Sequence, residues 1–388
     1  MKSNHVRLLD MQGRVSDYQI QGERRWSAPA QPQFNRQAFA AAHVVADVRR
    51  MQHPSRDMAI DWDATLAYRR HLFAHGFGIA EAMDTAQRGM GLDWPASLEL
   101  IQRSVEQAKT FPGARVASGA GTDHLTDFRG LTVDDVIAAY EQQIAAIEAC
   151  GGRIILMASR ALAAIARGPD DYLRVYDTLL RQVREPVVLH WLGDMFDPAL
   201  RGYWGSDNIH SAMEVCLAAI RANPAKVDGI KISLLDKDRE VEMRRQLPEG
   251  VKMYTGDDFN YPELIAGDEQ GYSHALLGIF DAIAPAAAAA LNALAAGDRQ
   301  TYDRIFAPTV PLARHIFTSP TQFYKSGIVF LAWLNGHQEH FSMLAGAQSA
   351  RSLSHYCELF RLADAAGLLD KPELAAGRMT LFGRVNGL

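Results

Sequence analysis

Eight short apolar segments with strand character recur between residues 43 and 278, and this repetition constrains the fold more than any other feature. Stretches with helical periodicity separate most of them, and their starts are roughly 20 to 40 residues apart, as βα units require. The predicted strands are 43–48, 77–82, 115–119, 153–158, 186–191, 228–233, 251–256 and 272–278. Successive βα units of this number are typical of a closed parallel barrel. The sequence therefore predicts an α/β protein built on a (β/α)8 TIM barrel.

The segments that flank the predicted barrel have a different character. Residues 1–42 contain Gly13, Gly22 and scattered prolines, which predicts a small hairpin and an extended arm. Residues 298–388 have a helical pattern throughout. The main helical pieces are predicted at 298–317, 321–335 and 348–366. We therefore expect an N-terminal arm over 1–42, the barrel over 43–297 and a C-terminal helical extension over 298–388, packed as one integrated unit.

Charge and composition exclude several classes of function. The net charge of -5 provides no broad positive surface for nucleic acid or for an anionic membrane. No apolar stretch is long enough to span a bilayer, and the first residues lack the apolar core of a signal peptide. The 3 cysteines have no short spacing of the kind found in a disulfide framework or a zinc site. We expect a cytoplasmic protein that binds neither nucleic acid nor membranes.

Lys231 is the most informative candidate for a functional residue. It lies within the apolar segment 227–236, and because strand side chains alternate, it shares a face with the small residues Gly229 and Ser233. An amine held away from water has a lowered pKa and becomes a nucleophile that can form a Schiff base with a carbonyl. The alternative is a structural lysine whose stem packs while its head reaches water. The remaining lysines are expected to be solvated.

In a barrel of this kind, side chains at the carboxyl ends of the strands converge on one site. Acids, histidines and one arginine occupy these positions around Lys231. They are Asp47, Asp84, Asp123, His124, Arg160, His190, Asp194, Asp257, Asp258 and His274. We predict His190 as the general base with Asp84 as second candidate, and we predict that the others, apart from Asp47, bind substrate.

Several of these residues have a structural alternative. His190 ends an apolar strand, where an imidazole can act as a base near neutral pH or can be a core histidine bonded to the backbone. Asp257 and Asp258 follow Gly256 and could equally cap the next turn. Arg160 could hold a carboxylate in a two-pronged fit, or could be an ordinary exposed arginine.

A divalent metal site is the main alternative chemistry. Asp47, Asp84, His124, His190 and His274 are acceptable ligand types, but no pair has a diagnostic spacing such as His-Glu-x-x-His. The metal hypothesis therefore depends on the inferred fold alone. The sequence has no phosphate-binding glycine motif and no Gly-x-Ser-x-Gly elbow, so no nucleotide cofactor and no serine nucleophile are predicted.

The order of several short motifs resembles the dihydrodipicolinate synthase and N-acetylneuraminate lyase superfamily of Schiff-base aldolases. His190 ends a Pro-Val-Val-Leu-His segment that stands where the family has Pro-Val-x-x-Tyr. The resemblance covers about residues 40–370 and implies a Schiff-base lysine at Lys231, no separate cofactor and assembly into dimers or tetramers. The matching segments are Gly229–Lys231 at the sixth strand, Thr255–Asp258 at the seventh, 271–298 at the eighth and Tyr324–Gly327 in the C-terminal helices.

The chain also departs from the pattern of that superfamily at two places. After the second strand the family has Gly-Thr-Thr-Gly-Glu, which holds the keto-acid carboxylate, whereas this chain has Met-Asp-Thr-Ala-Gln-Arg-Gly over 83–89. Only Thr85 is equivalent there, and it is predicted to bind substrate. After the fourth strand, Met-Ala-Ser-Arg over 157–160 replaces the tyrosine that shuttles protons in the family. The resemblance thus implies imine chemistry without implying pyruvate as the donor.

The hypothesis that follows is a class I aldolase or lyase. Lys231 would form an imine with a small-molecule ketone or 2-keto acid, and a carbon-carbon bond would be cleaved or formed. The polar rim suits a hydroxylated, sugar-derived substrate. The rival hypotheses are a metal-dependent barrel isomerase or lyase, and a barrel without catalysis that senses a carbohydrate.

Overall fold

The computed structural model describes residues 5–21, 26 and 32–388 of the chain. Its centre is a closed barrel of parallel strands surrounded by helices. The strands are β1 (His5–Leu9), β2 (Val15–Gln19), β3 (Ala38–Ala41), β4 (Gly78–Glu81), β5 (Val116–Ala120), β6 (Arg153–Leu156), β7 (Val187–Leu192), β8 (Val227–Ser233), β9 (Lys252–Thr255) and β10 (His274–Leu277). The helices are α1 (Trp62–Ala74), α2 (Trp94–Ala108), α3 (Val133–Ala149), α4 (Arg160–Ile165), α5 (Pro169–Gln182), α6 (Ile209–Ala222), α7 (Lys237–Arg244), α8 (Tyr261–Ala266), α9 (Ile279–Ala282), α10 (Ala284–Ala295), α11 (Arg299–Phe306), α12 (Thr309–Ile316), α13 (Tyr324–Leu334), α14 (Leu353–Ala365) and α15 (Pro372–Val385).

Strands β3 to β10 follow one another around the barrel in chain order, and β10 closes onto β3. This arrangement confirms the predicted (β/α)8 barrel. All the predicted strands except the first overlap observed strands. The carboxyl ends of β4 to β8 therefore meet at one mouth, where the candidate residues were expected.

The first barrel strand was predicted wrongly at 43–48, because the observed strand is β3. The β-branched pair Val44 and Val45 favoured the later segment, whereas alanine-rich β3 has a low strand propensity. Pairing with β4 and β10 outweighs propensity at this position. The barrel thus begins before residue 43, within the segment that was expected to be the arm.

The hairpin expected around Gly13 is present at the N-terminal end. Strands β1 and β2 pair antiparallel, and Gly13 has a left-handed φ of 77° in the turn between them. Tyr18 Oη donates a hydrogen bond to Asp364 on α14 at 2.8 Å. The hairpin is therefore attached to the C-terminal helices. Gly22, which was also used to predict it, lies outside the described residues.

The C-terminal extension is helical, as predicted, although its pieces differ. The predicted helix over 298–317 is divided into α11 and α12 near Pro308, because proline interrupts the helical hydrogen bonds. Helix α13 is buried along its whole length, and its first turn reaches the mouth of the barrel. Helix α15 was not among the predicted pieces. Within the described residues, no helix is both long and apolar enough to cross a bilayer.

Small side chains leave space inside the barrel. Ala41, Ala80 and Ala117 are register partners on β3, β4 and β5, and all belong to the interior cluster. These strands lie across the barrel from β8. Phe39 and Tyr254 occupy much of the remaining interior, with ring centroids 6.2 Å apart. The barrel can therefore admit a long polar side chain from β8 at the level of the three alanines.

Candidate active site

Lys231 lies in the middle of β8 and points into the barrel. Its register partners are His190 on β7 and Tyr254 on β9, and Tyr254 belongs to the interior cluster. Partners in a parallel register share one face of the sheet. Lys231 is 5% exposed, and its Nζ forms no hydrogen bond with any described residue. The amine is thus enclosed by the barrel without a contact that would neutralise it.

The electrostatic surroundings of Lys231 favour an uncharged amine. Burial lowers the pKa of Lys231, while the charges of Asp84 and Asp258 act in the opposite direction. Burial raises the pKa of Asp258 to about 8, although that carboxyl accepts a hydrogen bond from the Ile279 N–H at 2.8 Å. The two shifts favour a neutral amine beside a neutral carboxylic acid. A neutral amine is the form that attacks a carbonyl.

His190 enters the barrel beside Lys231. Its Nε2 lies 3.3 Å from Ser233 Oγ, so the ring contacts a side chain of β8. Burial, and then the charge of Lys231, hold the pKa of His190 well below its ordinary value. The imidazole is therefore neutral near pH 7 and able to accept a proton. His190 also lines the cavity at the mouth.

Gly256 directly follows β9 and allows the backbone there to approach Ser233 and Lys231 on β8 closely. A Cβ at this position would lie 2.3 Å from Ser233 Oγ and 2.8 Å from Lys231 Cε. Both distances are too short for a methyl group, so any side chain here would displace the lysine or the serine. The glycine in the Thr-Gly-Asp-Asp motif thus fixes the path of the Lys231 side chain.

Asp84, Thr85 and Tyr324 form a hydrogen-bonded group at the mouth. Tyr324 Oη donates to Asp84 Oδ2 at 2.7 Å and lies 2.6 Å from Thr85 Oγ1. A phenol has one hydrogen, so Thr85 donates to Tyr324. Burial, and then the charge of Asp84, raise the pKa of Tyr324 well above its ordinary value. The three groups make a continuous donor chain that ends on the carboxylate whose charge acts on Lys231.

A cavity of about 610 Å³ opens at the carboxyl ends of β4 to β7. Cavities of this size hold small organic ligands. Asp84 and His190 line it beside polar residues from the following loops, and methionines and leucines supply its apolar wall. The polar and charged lining residues are Arg56, Asp84, Arg88, Asp93, Thr122, Asp123, Thr126, Arg160, His190, Asp197 and Lys325.

Asp123 and His124 are near the mouth, but protein groups already bind both. Asp123 accepts two hydrogen bonds from Arg88, at 2.7 and 2.9 Å, and it lines the cavity. Burial acts to raise the pKa of Asp123, but the hydrogen bonds and charge of Arg88 lower it overall. His124 Nδ1 accepts from Gln143 Nε2 at 2.8 Å. Asp123 is therefore placed to anchor the arginine, and His124 to bond the glutamine.

Three residues predicted to bind substrate lie elsewhere or have another partner. His274 begins β10 and is therefore at the opposite, amino end of the barrel, where its Nδ1 accepts from the Gln37 N–H at 2.9 Å. Asp194 is exposed and lines a separate surface depression beside Met195. Asp257 accepts hydrogen bonds from the N–H groups of Phe259 and Asn260. It therefore caps a turn, which was the structural alternative considered for it from the sequence. None of the three lines the cavity.

Two residues of the site escaped the sequence prediction. Tyr324 was quoted for its motif without a role, and Lys325 was expected to be solvated, whereas it is 2% exposed and lines the cavity. Both belong to α13, outside the barrel. Both also belong to the motif Tyr324–Gly327, which was the available indication, but nothing in the motif shows that Lys325 is buried.

The proposed metal ligands do not converge. His274 is at the other end of the barrel, and Asp47 accepts the N–H of Arg49 at 3.0 Å in a loop. Among the described residues, no three acids, histidines or cysteines are grouped as a metal site requires. The metal-dependent hypothesis therefore has no ligand set in this part of the chain.

Solved structures of dihydrodipicolinate synthases share this fold. The enzyme from Aquifex aeolicus is 13% identical, with a TM-score of 0.64, and the match covers 87% of this chain and 99% of that one. A chloride-inhibited enzyme from Acinetobacter baumannii, complexed with pyruvate, is 14% identical, with a TM-score of 0.63 and coverage of 86% and 99%. A monomeric dihydrodipicolinate synthase variant is 13% identical, with a TM-score of 0.62 and coverage of 88% and 100%. At these identities the likeness shows the fold alone.

The comparison of sequences gives the family itself. No curated protein matches the chain. The model of one family, described as "Protein of unknown function (DUF993)", matches residues 6–388. The match includes the hairpin, the barrel and the C-terminal helices. The chain therefore belongs to the DUF993 family, and its barrel has the fold of the dihydrodipicolinate synthase superfamily.

Proposed function

We propose that this protein is a lyase of the class I aldolase kind, with Lys231 as the Schiff-base residue. The observation that carries the proposal is the Lys231 amine, which is enclosed by the barrel, free of hydrogen bonds to the described residues and adjacent to His190. A lysine in such surroundings is a nucleophile toward carbonyl carbon. The shared fold of the dihydrodipicolinate synthases supports the same class of chemistry.

The reaction begins when Lys231 Nζ attacks the carbonyl carbon of the substrate. Loss of water from the resulting carbinolamine gives a protonated imine, which withdraws electrons from the adjacent carbon-carbon bond. A base removes the proton of the substrate hydroxyl, the bond breaks, and its electron pair forms an enamine. Protonation of the enamine carbon and hydrolysis of the imine release the second product and restore the amine. The reverse sequence forms the bond.

Nearby residues are proposed for the proton transfers. His190 is neutral and lines the cavity, so it is the candidate base for the substrate hydroxyl. Asp84 lines the cavity and can pass a proton to the enamine carbon, taking that proton from Tyr324, which takes one in turn from Thr85. Asp258, whose pKa is raised to about 8, can hold a proton near the amine during water loss. These roles require no group other than the side chains of this chain.

The substrate is proposed to be a hydroxylated ketone or a 2-keto acid. Asp84, His190 and Asp123 provide a polar wall beside methionines, which suits a small sugar-derived molecule. Pyruvate is included among the test compounds because the Acinetobacter baumannii enzyme was solved with it. Assembly into a homo-oligomer remains part of the proposal.

Borohydride reduction tests the mechanism directly. The protein is incubated with pyruvate, dihydroxyacetone and a panel of ketoses, reduced, digested and analysed by mass spectrometry. Reduction converts the imine into a stable secondary amine, and we expect the added mass on the peptide that contains Lys231. The variant Lys231→Ala should give no adduct, whereas Lys109→Ala, at an exposed ion pair, should behave as the wild type. Turnover of a compound without any adduct on Lys231 would overturn the proposal.

A further inference from the structure

A second buried lysine, Lys325, lines the cavity, and no acid among the described residues contacts it. Its Nζ donates to the Gln322 carbonyl at 2.9 Å and lies 3.3 Å from Met90 Sδ. Buried lysines are normally paired with a carboxylate, because an uncompensated charge in a protein interior is costly. The charge of Asp84 favours a protonated Lys325, while burial lowers its pKa. An anion bound in the cavity would complete these surroundings.

Arg160 is a second cation on the same wall. Its Nε donates to Asp197 at 2.5 Å, and its Nη1 lies 3.6 Å from the position that a Cβ of Gly89 would occupy. Among the described residues, no hydrogen-bond acceptor is paired with its terminal nitrogens. Its side chain is 45% exposed, and it lines the cavity. The outer edge of the guanidinium is thus open to a ligand in the cavity.

The two cations meet across one short loop. Gly89 and Met90 are consecutive residues: a Cβ at Gly89 would lie 3.6 Å from Arg160 Nη1, and Met90 Sδ lies 3.3 Å from Lys325 Nζ. The positive charge of Arg160 acts unfavourably on Lys325. Asp197 forms an ion pair with Arg160, and the charges of Asp84 and Asp197 act on Lys325 without contacting its Nζ. Two cations held together in this way form an anion site, since a carboxylate or phosphate relieves their repulsion.

Arg88, by contrast, is not available to a ligand. It donates to Asp123, to Gln143 and to the carbonyls of Ala82 and Gly119. All its donors are therefore used within the protein. This difference separates Lys325 and Arg160 from Arg88.

We propose that Lys325 and Arg160 bind an anionic group of the substrate, a carboxylate or a phosphate ester, while its carbonyl reacts with Lys231. Binding of the anion by Lys325 and Arg160 does not depend on the proposed Schiff-base function. Only the reaction of the carbonyl with Lys231 rests on it. Asp84 and His190 line the cavity together with Lys325, and Lys231 is the register partner of His190, so Lys231 is adjacent to the cavity that Lys325 lines. The substrate class is therefore an anionic ketone whose charge is at some distance from the reacting carbonyl.

The first experiment compares ketones that differ only in charge. Dihydroxyacetone is compared with its phosphate, and 5-hydroxy-2-pentanone with levulinate, by the yield of borohydride-trapped Lys231. The anionic member should be trapped at concentrations about 10-fold lower or more, as one charge-assisted hydrogen bond implies. The pair that shows the preference distinguishes phosphate from carboxylate. Equal trapping of both members in both pairs would overturn the anion site.

Variants assign the preference to these two residues. Lys325→Met keeps an unbranched side chain, one atom shorter and without the charge, and Arg160→Gln alters a partly exposed side chain. In each, the ratio of anionic to neutral trapping should fall toward one. Lys109→Met, which removes an exposed lysine, should keep the wild-type ratio. An unchanged ratio in both cavity variants would contradict the assignment.

A binding measurement separates this inference from the Schiff-base proposal. Calorimetric titration of Lys231→Ala with inorganic phosphate and with succinate requires no imine. Binding that is weakened about 10-fold by Lys325→Met or Arg160→Gln supports the anion site even if no adduct forms on Lys231. No binding of either anion, together with neutral and anionic ketones trapped equally, would leave Lys231 as the nucleophile and remove the anion site.

Discussion

His190 and Lys231 are register partners on adjacent parallel strands, so the candidate base and the candidate nucleophile enter the barrel side by side. Burial, and then the charge of Lys231, lower the pKa of His190. In the proposed reaction the protonated imine places a positive charge at the same position beside the ring. The ring is therefore kept neutral through the step in which it must accept a proton.

Replacing His190 should separate imine formation from bond cleavage. We expect His190→Gln to lower turnover by about 100-fold or more, since a positioned base contributes rate of that order. Lys231 should still be trapped by borohydride, because the amine itself is unchanged. Steady-state rates and adduct yields measured on the same preparation test this. Loss of trapping in a folded variant would assign His190 to the binding of substrate instead.

Replacing Tyr324 by phenylalanine tests the donor chain. The change removes the hydroxyl that links Thr85 to Asp84 and should lower turnover by about 100-fold. The rate at which solvent deuterium enters the product should fall in parallel, because that exchange reports protonation of the enamine. Tyr302→Phe is the matched control, since Tyr302 is also buried but donates to the Pro262 carbonyl away from the mouth. An equal loss in both variants would indicate a general packing effect.

Gly256→Ala should damage both stability and chemistry. The new methyl group meets Ser233 Oγ and Lys231 Cε, and overpacking of this kind costs about 1–3 kcal/mol. Urea denaturation should show the loss, and borohydride trapping should fall because Lys231 is displaced. Gly377→Ala on α15 is the control, because a Cβ there has no neighbour within 4 Å and should stabilise by about 0.5–1 kcal/mol. Wild-type trapping by the Gly256 variant would show that the lysine has more room than the structure gives it.

Buried histidines should make the protein less stable in acid. Burial lowers the pKa of His71 to about 2 and that of His337 to about 4, and the two rings are 4.4 Å apart. Between the ordinary pKa of 6.5 and these values, the unfolded chain binds protons that the folded chain does not. Their contribution to stability is complete above pH 6.5 and is lost as the pH falls toward 4.

Denaturation midpoints from pH 8 to pH 4 measure this effect. The double variant His71→Gln and His337→Gln should have a flatter pH profile than the wild type, while His53→Gln, at an exposed position, should have the wild-type slope. An undiminished slope in the double variant would assign the acid sensitivity to other groups. His274 and His355 are the next candidates, because burial lowers the pKa of the first to about 4 and of the second to about 3.

The sequence predicts the barrel well because each strand and helix has its own local pattern, and these patterns recur along the chain. Strand alternation grouped Lys231 with Gly229 and Ser233, and the end of its predicted strand placed His190 at the mouth; the observed register pairs Lys231 with His190. The first strand was missed because β3 forms through its neighbours and not through its own propensity. His274 was misplaced because it lies at the amino end of β10, and strand boundaries within two residues decide which mouth a side chain reaches.

The rest of the site depends on packing between distant segments. Tyr324 reaches the mouth and Lys325 reaches the cavity because the first turn of α13 lies against the loop after β4, through contacts with Thr85 and Met90. No periodicity within α13 indicates this contact. Asp257 behaved as a cap, which its position after Gly256 had allowed. A local pattern therefore located the candidate nucleophile, whereas the positions of Tyr324 and Lys325 could be found only from the tertiary structure.

The attachment of α13 to the barrel mouth has an evolutionary consequence. The strands hold Lys231 and His190, and a helix encoded much later in the gene supplies Lys325 to the cavity. If the proposed function holds, exchange of that helix between homologues would alter substrate choice without disturbing the proposed catalytic residues on the strands. Chimeras joined between β10 and α13 would be the natural route to new specificities in this family.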